Sequence, residues 1–190
     1  MTLITIIKPA VEPVTDADLA VPARLDTTDF SEHINQFLVP TFRAEAEHRL
    51  GRRLITQTVE LVLNDFPTAD QPVDLQLPNV QSLVSVKYLD GAGVQQTVAP
   101  ESYRLDADSI PSSVSPVSEW PSTGHYANAV RIRYVVGYGP TGSDVPHNIR
   151  TWIMAHVIQA LDNPCGLEEN VQPLPYLDRL LDAETVLRVM

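Results

Sequence analysis

Cysteine is almost missing: the chain of 190 residues has one, Cys165. A lone thiol cannot form an internal bridge, so a disulfide framework is excluded. None is needed, because a chain of this length buries roughly 70% of its unfolded surface. Basic residues are scarce: Lys+Arg is 13 against 24 for Asp+Glu, a net charge of -11. Such a chain is repelled by phosphate backbones, which argues against a nucleic-acid binder driven by counterion release. Long apolar runs are missing too. The hydrophobic fraction is 44%, yet no run reaches the ~18 residues of a membrane-spanning helix. Near the start, Lys8 follows the apolar run Leu3–Ile7, whereas a signal peptide puts its charge first. These absences lead to the expectation of a soluble, acidic, intracellular protein of one domain, without repeats.

Catalytic motifs are also missing. The sequence contains no GxxxxGK[ST], no GxSxG and no HExxH. The histidines, His33, His48, His125, His147 and His156, include no pair at i, i+4, the spacing that puts two zinc ligands on one helix face. His156 lies in an apolar helical stripe and reads as a core or subunit-contact histidine; the others read as surface. Gly137-Tyr138-Gly139 follows a strand, but the next helix starts too late for a dinucleotide loop, so it reads as a bend. Cys165 follows Pro164 at a helix end and reads as an idle thiol. Asp162, Glu168 and Glu169 read as a solvated link. Nothing assembles a nucleophile, a base and an orienting group. The expectation is no catalytic residue, no cofactor site and no metal site.

What is there is a strong pattern of elements. Residues 1–30 hold Pro9, Pro13 and Pro22 among scattered acids and read as an N-terminal arm with a short helix at 16–23. Residues 31–50 carry Ile34, Phe37, Leu38, Phe42, Ala46 and Leu50 at helical spacing. Ser31 supplies the N-cap and Gly51 the stop. Pro40 deletes a backbone donor inside this helix and should kink or split it. Arg43, Arg49, Arg52 and Arg53 crowd its end, where cations favour the helix terminus; a phosphate site is the weaker reading.

Strands follow between 54 and 136. Leu54–Leu63 is β-branched and alternating, with Ile55, Gln57 and Val59 on one face and Thr56, Thr58 and Glu60 on the other. Further strands are expected at 73–77, 83–89, 94–98 and 103–106, with a hairpin loop at Asp90-Gly91-Ala92-Gly93. Residues 107–126, with Pro111, Pro116 and Pro121, read as a long loop. In 129–136, Val130, Ile132 and Tyr134 face one side and Arg131, Arg133 and Val135 the other. Helices return at 146–162, with the stripe Ile149, Trp152, Ile153, His156, Val157 and Ala160, and at 174–183. The fold class is α+β: a helical body of three or more helices with an inserted antiparallel β region. Phe37, Phe42, Leu50, Trp152, Ile153 and Val157 are expected in one core.

The ordered fragments carry a resemblance. They are AEHRLGRRLITQT at 46–58, Asp65-Phe66-Pro67, Leu77-Pro78, SLVSVKYLD at 82–90 and Tyr103-Arg104-Leu105-Asp106. After these come Trp120-Pro121, Asn128-Ala129-Val130-Arg131-Ile132, Gly137-Tyr138-Gly139 and Val145-Pro146. Together, over about residues 25 to 185, the series resembles the phage and prophage head–tail connector family, the head-completion adaptors between portal and tail. The N-terminal region departs from that pattern: Asp16–Leu25 is a poor version of the compact helical start, and Pro40 interrupts the next helix. The resemblance implies a single connector-like α+β domain over 31–190, with its β-rich part at 54–136. It implies a ring, dodecameric in the virion to match the portal, touching portal and tail-side neck proteins. DNA would pass through without specific binding. The implied place is the virion neck, after assembly in the bacterial cytoplasm, with no membrane contact, catalysis, cofactor or metal. A different class remains open: a β-rich small-molecule or glycan-binding module with Trp120, Tyr126 and Tyr138 as stacking surface, or an enzyme with an unrecognised site.

Overall fold

The computed structural model describes residues 1–23, 30–68, 70–162, 175–182 and 184. The architecture is α+β with antiparallel sheets. The chain divides into two compact units, Met1–Pro9 with Thr56–Tyr138, and Ala10–Ile55 with Gly139–Met190. The first is built of strands and the second of helices.

In the β unit, a five-stranded antiparallel sheet has the order β1-β2-β8-β4-β5. Its strands are β1 (Thr2–Ile7), β2 (Gln57–Leu63), β4 (Val80–Leu89), β5 (Gln95–Thr97) and β8 (Val130–Val136). The expected alternation in β8 holds: Val130, Ile132, Tyr134 and Val136 are buried, and Arg131, Arg133 and Val135 face the other way half-buried. Register places Val59 opposite Tyr134 and Leu61 opposite Ile132, so β2 and β8 share one apolar face. A three-stranded sheet, β3 (Val73–Asp74), β7 (Ser113–Pro116) and β6 (Tyr103–Asp106), contributes Val73, Val114 and Leu105 to the same core. Asp90 closes the β4–β5 turn as expected: its Oδ1 accepts the N–H groups of Ala92 and Val94, each at 3.0 Å. Gly93 takes the left-handed φ of 78° that the turn requires.

One expectation is corrected here. Residues 107–126 are not all loop, because they contain β7. Pro111 lies before that strand and Pro116 ends it, where the missing N–H costs little, and Val114 is buried between them. Residues 2–7, mostly β-branched, pair with β2 as an edge strand and fall in the β unit.

The helical unit contains α1 (Asp16–Ala23), α2 (Ser31–His33), α3 (Val39–Leu50), α4 (His147–Asp162) and α5 (Pro175–Asp182). Between α2 and α3, Ile34–Leu38 is a π-turn in which the Val39 N–H reaches back to the Ile34 carbonyl. This is how the chain accommodates Pro40: the wider turn before it absorbs the missing donor, without breaking the helix. The π-turn also rotates the preceding face. Ile34 becomes fully buried and Phe37 is 59% exposed, so Phe37 is not in the expected core. Leu50, Trp152, Ile153 and Val157 are fully buried as expected, and Phe42 is half-buried with its ring 5.7 Å from that of His156. Gly51 ends α3 in the left-handed region at φ 66°. Arg150 ties the N-terminal part in, donating from Nε to the Pro13 carbonyl at 3.0 Å and pairing with Asp18 at 3.3 Å.

Candidate functional site

The arginine cluster near the end of α3 is the first site to test. Arg43 pairs with Glu12 at 2.7 Å and Glu47 at 3.1 Å, and Arg53 pairs with Glu47 at 3.0 Å. Arg49 pairs with Glu45 at 2.7 Å and Asp178 at 2.8 Å, and Arg52 meets Glu184 at 3.5 Å. Every guanidinium of the cluster therefore faces a carboxylate, and the phosphate reading gives way to a structural one. Glu47 is the hub: it is buried, and its Oε1 also accepts the Leu54 N–H at 3.0 Å.

The histidines do not converge. His33, His48, His125 and His147 are exposed. His156 is half-buried, its Nδ1 lies 2.9 Å from the Trp152 carbonyl oxygen, and its ring stacks 3.9 Å from the indole. That agrees with a packing role. Asp162 is exposed at the end of α4; Cys165, Glu168 and Glu169 lie outside the described residues. Among the described residues no group of three or more His, Cys, Asp or Glu side chains could hold a metal ion. No described helix is long and apolar enough to cross a membrane.

The expected stacking surface does not assemble. Trp120 is buried, stacked on Phe66 at 4.5 Å, with its indole N–H donated to the Gln71 carbonyl at 2.9 Å. Tyr126 is exposed and rests beside Gly93 and Gly124, and Tyr138 is half-buried at the end of the strand unit. The bend Gly137-Tyr138-Gly139 is confirmed as one: Gly137 has φ 132°, which side chains rarely adopt.

What the sequence reading missed is a basic row on the face of the five-stranded sheet opposite the core. Arg131 and Arg133 share the carboxylate of Glu60, Arg131 through Nη1 at 2.8 Å and Arg133 through Nη2 at 2.8 Å and Nε at 3.1 Å. Lys87 stands directly opposite Arg131 in register. A recess of ≈ 310 Å³ opens beside them, lined by Lys87, Leu89, Gln95, Asn128 and Arg131. The alternation of Arg131 and Arg133 in the sequence was the available signal; the register that brings Lys87 beside them was not legible.

Burial pushes the Glu60 carboxyl up, but the hydrogen bonds and charges of Arg131 and Arg133 outweigh it and hold the group below its ordinary value of 4.5. A carboxyl lowered in the folded state stabilises fully above its unfolded value, and that stability is lost as pH falls through the folded value. Wild type should therefore lose stability to Glu60→Gln steadily as pH drops below about 4.5, read as the difference between their urea midpoints. A difference independent of pH from neutrality to acid would show that the two arginines do not act on Glu60.

These features define an α+β protein whose α3 arginines are tied into its own ion pairs, with a basic recess open on the sheet. No family model matches the chain, and no curated protein matches it. Solved structures do share the fold. A chain in the neck of an empty gene transfer agent (GTA) particle computed with C6 symmetry has TM-score 0.80 at 20% identity, covering 100% of this chain and 98% of its own. A chain in the virion of the native GTA particle has TM-score 0.81 at 19% identity, with the same coverage. A chain in the neck of the native particle computed with C12 symmetry has TM-score 0.72 at 20% identity, again over 100% and 98%. At such identities the likeness is one of fold.

Proposed function

We propose that the protein is a structural adaptor of the neck of a tailed phage, a prophage or a related particle, forming a ring between portal and tail. One observation carries the reading: the fold matches, over the whole of this chain, chains of necks computed with C6 and C12 symmetry. Both the helical body and its inserted sheet are included in that match. The partners are the portal on one side and tail-side neck proteins on the other, with a dodecameric ring matching the portal. The place of action is the virion neck, after assembly in the bacterial cytoplasm. Neither catalysis, cofactor, metal nor membrane belongs to this reading. The charge supports it, because a subunit at -11 does not grip DNA that must slide past. The glycan-binding alternative is weakened by the burial of Trp120.

The test is to mix the protein with portal-bearing, DNA-filled heads that lack tails. Electron microscopy should show a ring at the portal vertex; bare vertices with folded protein would sink the reading. Away from the portal the protein should be monomeric or weakly associated at low salt, because subunits of charge -11 repel one another. Added salt should promote association, since screening confines that repulsion to about 10 Å at 0.1 M. Light scattering across a salt series reads this, and a stable ring at low salt without portal would contradict it.

A further inference from the structure

The basic recess on the sheet is only partly neutralised. Lys87 makes no ion pair among the described residues, and it stands directly across β4 and β8 from Arg131. Like charges in directly opposed positions destabilise a sheet. Glu60 offsets Arg131 and Arg133, but one carboxylate between two guanidiniums leaves an excess of positive charge even before Lys87 is counted. Arg131 binds Glu60 through Nη1, and its side chain remains 42% exposed, so donors remain for a second acceptor. The nearby Asp90 is not that acceptor: Oδ1 holds the turn N–H groups, and Oδ2 takes the Gln96 amide at 2.8 Å.

An acidic feature sits on the other layer of the same unit. The segment joining β6 to β7, residues 107–111, is exposed throughout. Asp108 lies there with a carboxylate that has no partner among the described residues, near Ile110, which is 65% exposed. The tip is pre-shaped. Asp106 accepts the N–H groups of Asp108 at 3.2 Å and Ser109 at 3.1 Å and the Ser109 hydroxyl at 2.7 Å. β6 and β7 pack against the core face of the five-stranded sheet, whereas Lys87 and Arg131 project from its opposite face. The two features therefore lie on opposite sides of the five-stranded sheet.

We infer that the recess between Lys87 and Arg131 receives the Asp108 carboxylate of a second copy of this chain. The contact joins two different surfaces, so it is heterologous, and repetition of such a contact closes into a ring when the rotation permits. The inference rests on the ring reading above and names the contact that would build it. It also fits the charge of the chain. Long-range repulsion between acidic subunits is screened by salt, whereas a pair held in a recess is screened much less. The ordered tip lowers the entropy cost of docking.

The sequence makes the test clean, because Lys8 and Lys87 are the two lysines. An equal mixture of unlabelled and 15N-labelled protein is bound to the tailless heads and treated with a carbodiimide, which joins an ammonium to a carboxylate in direct contact. A second sample is treated in concentrated solution without heads. Mass spectrometry should find a Lys87–Asp108 link between differently labelled chains. Asp108→Asn, a change at an exposed tip, should abolish that link. Lys87→Glu should block assembly, and combining it with Asp108→Lys should restore it. A ring at the vertex whose Lys87 is unlinked, or linked only within one chain, overturns the inference while leaving the neck reading standing. Protection of Lys87 from acetylation by the packaged DNA would also overturn it, by assigning the recess to phosphate. Bare vertices together with the mixed-label link in solution would sink the neck reading and uphold the contact.

Discussion

Replacing Trp152 with alanine should lower the unfolding free energy by about 3–5 kcal/mol, the range for deleting a large buried aromatic. Trp152 is fully buried in α4, and its indole organises three helices. The ring N–H is donated to Asp178 of α5 at 3.2 Å, and the guanidinium of Arg49 from α3 lies 5.2 Å from the ring centroid. The His156 ring stacks on it and in turn meets Phe42. Truncation opens a cavity and also removes a cation–π contact and a hydrogen bond from the same point. Urea unfolding followed by far-UV circular dichroism reads the loss, since the variant lacks this fluorophore. A loss below about 1 kcal/mol would mean that the helices collapse onto the gap or do not depend on it.

Glu47→Ala should cost a similar amount, about 3–5 kcal/mol, because removing one partner of a buried ion pair strands the others. Here the stranded groups are the Arg53 guanidinium and the buried N–H of Leu54, while Arg43 is left with Glu12 alone. Glu47→Gln should be milder. Its amide oxygen can still accept from Leu54, while the charge that holds the two arginines is gone. The pair of variants separates the backbone hydrogen bond from the ion pairs. If alanine costs no more than the ~1 kcal/mol of a surface pair, the Glu47 hub is decorative. The position has local reach: its carboxylate ties Leu54, beyond the Gly51 turn, back to α3.

The helices at 31–50, 147–162 and 175–182 were legible because each buries one stripe of a 3.6-residue repeat, which is a local property of sequence. The faces of β8 were legible for the same reason at period 2. Phe37 was misplaced because a π-turn adds a residue to the repeat and rotates the face that precedes it, and Pro40 announces a disturbance without saying which kind. Strand β1 was hidden by the prolines that follow it, and β7 by the prolines that bound it. In both cases the stabilising hydrogen bonds come from a distant strand, β2 for the one and β6 and β3 for the other. Trp120 looked available for stacking because its loop is polar; the tertiary fold turned it onto Phe66 and satisfied its N–H.

By itself, then, the sequence determined the composition-level exclusions, the α+β class, the position of the longer helices and the alternation of the strong strands. These depend on residue types and short spacings, which act within a few turns or a few pleats. The tertiary structure alone decided which charges meet. Arg43, Arg49, Arg52 and Arg53 were seen as a cluster, but their carboxylate partners lie as far off as Asp178 and Glu184. Lys87 and Arg131 are 44 positions apart in the chain and become neighbours through the register of β4 on β8. Pairing across a sheet is set by the summed burial of whole strands, and a one-residue slip would carry Lys87 to the core face. A charge interaction acts over a few ångströms whatever the separation in sequence, so the fold had to be in place before the basic recess could be seen.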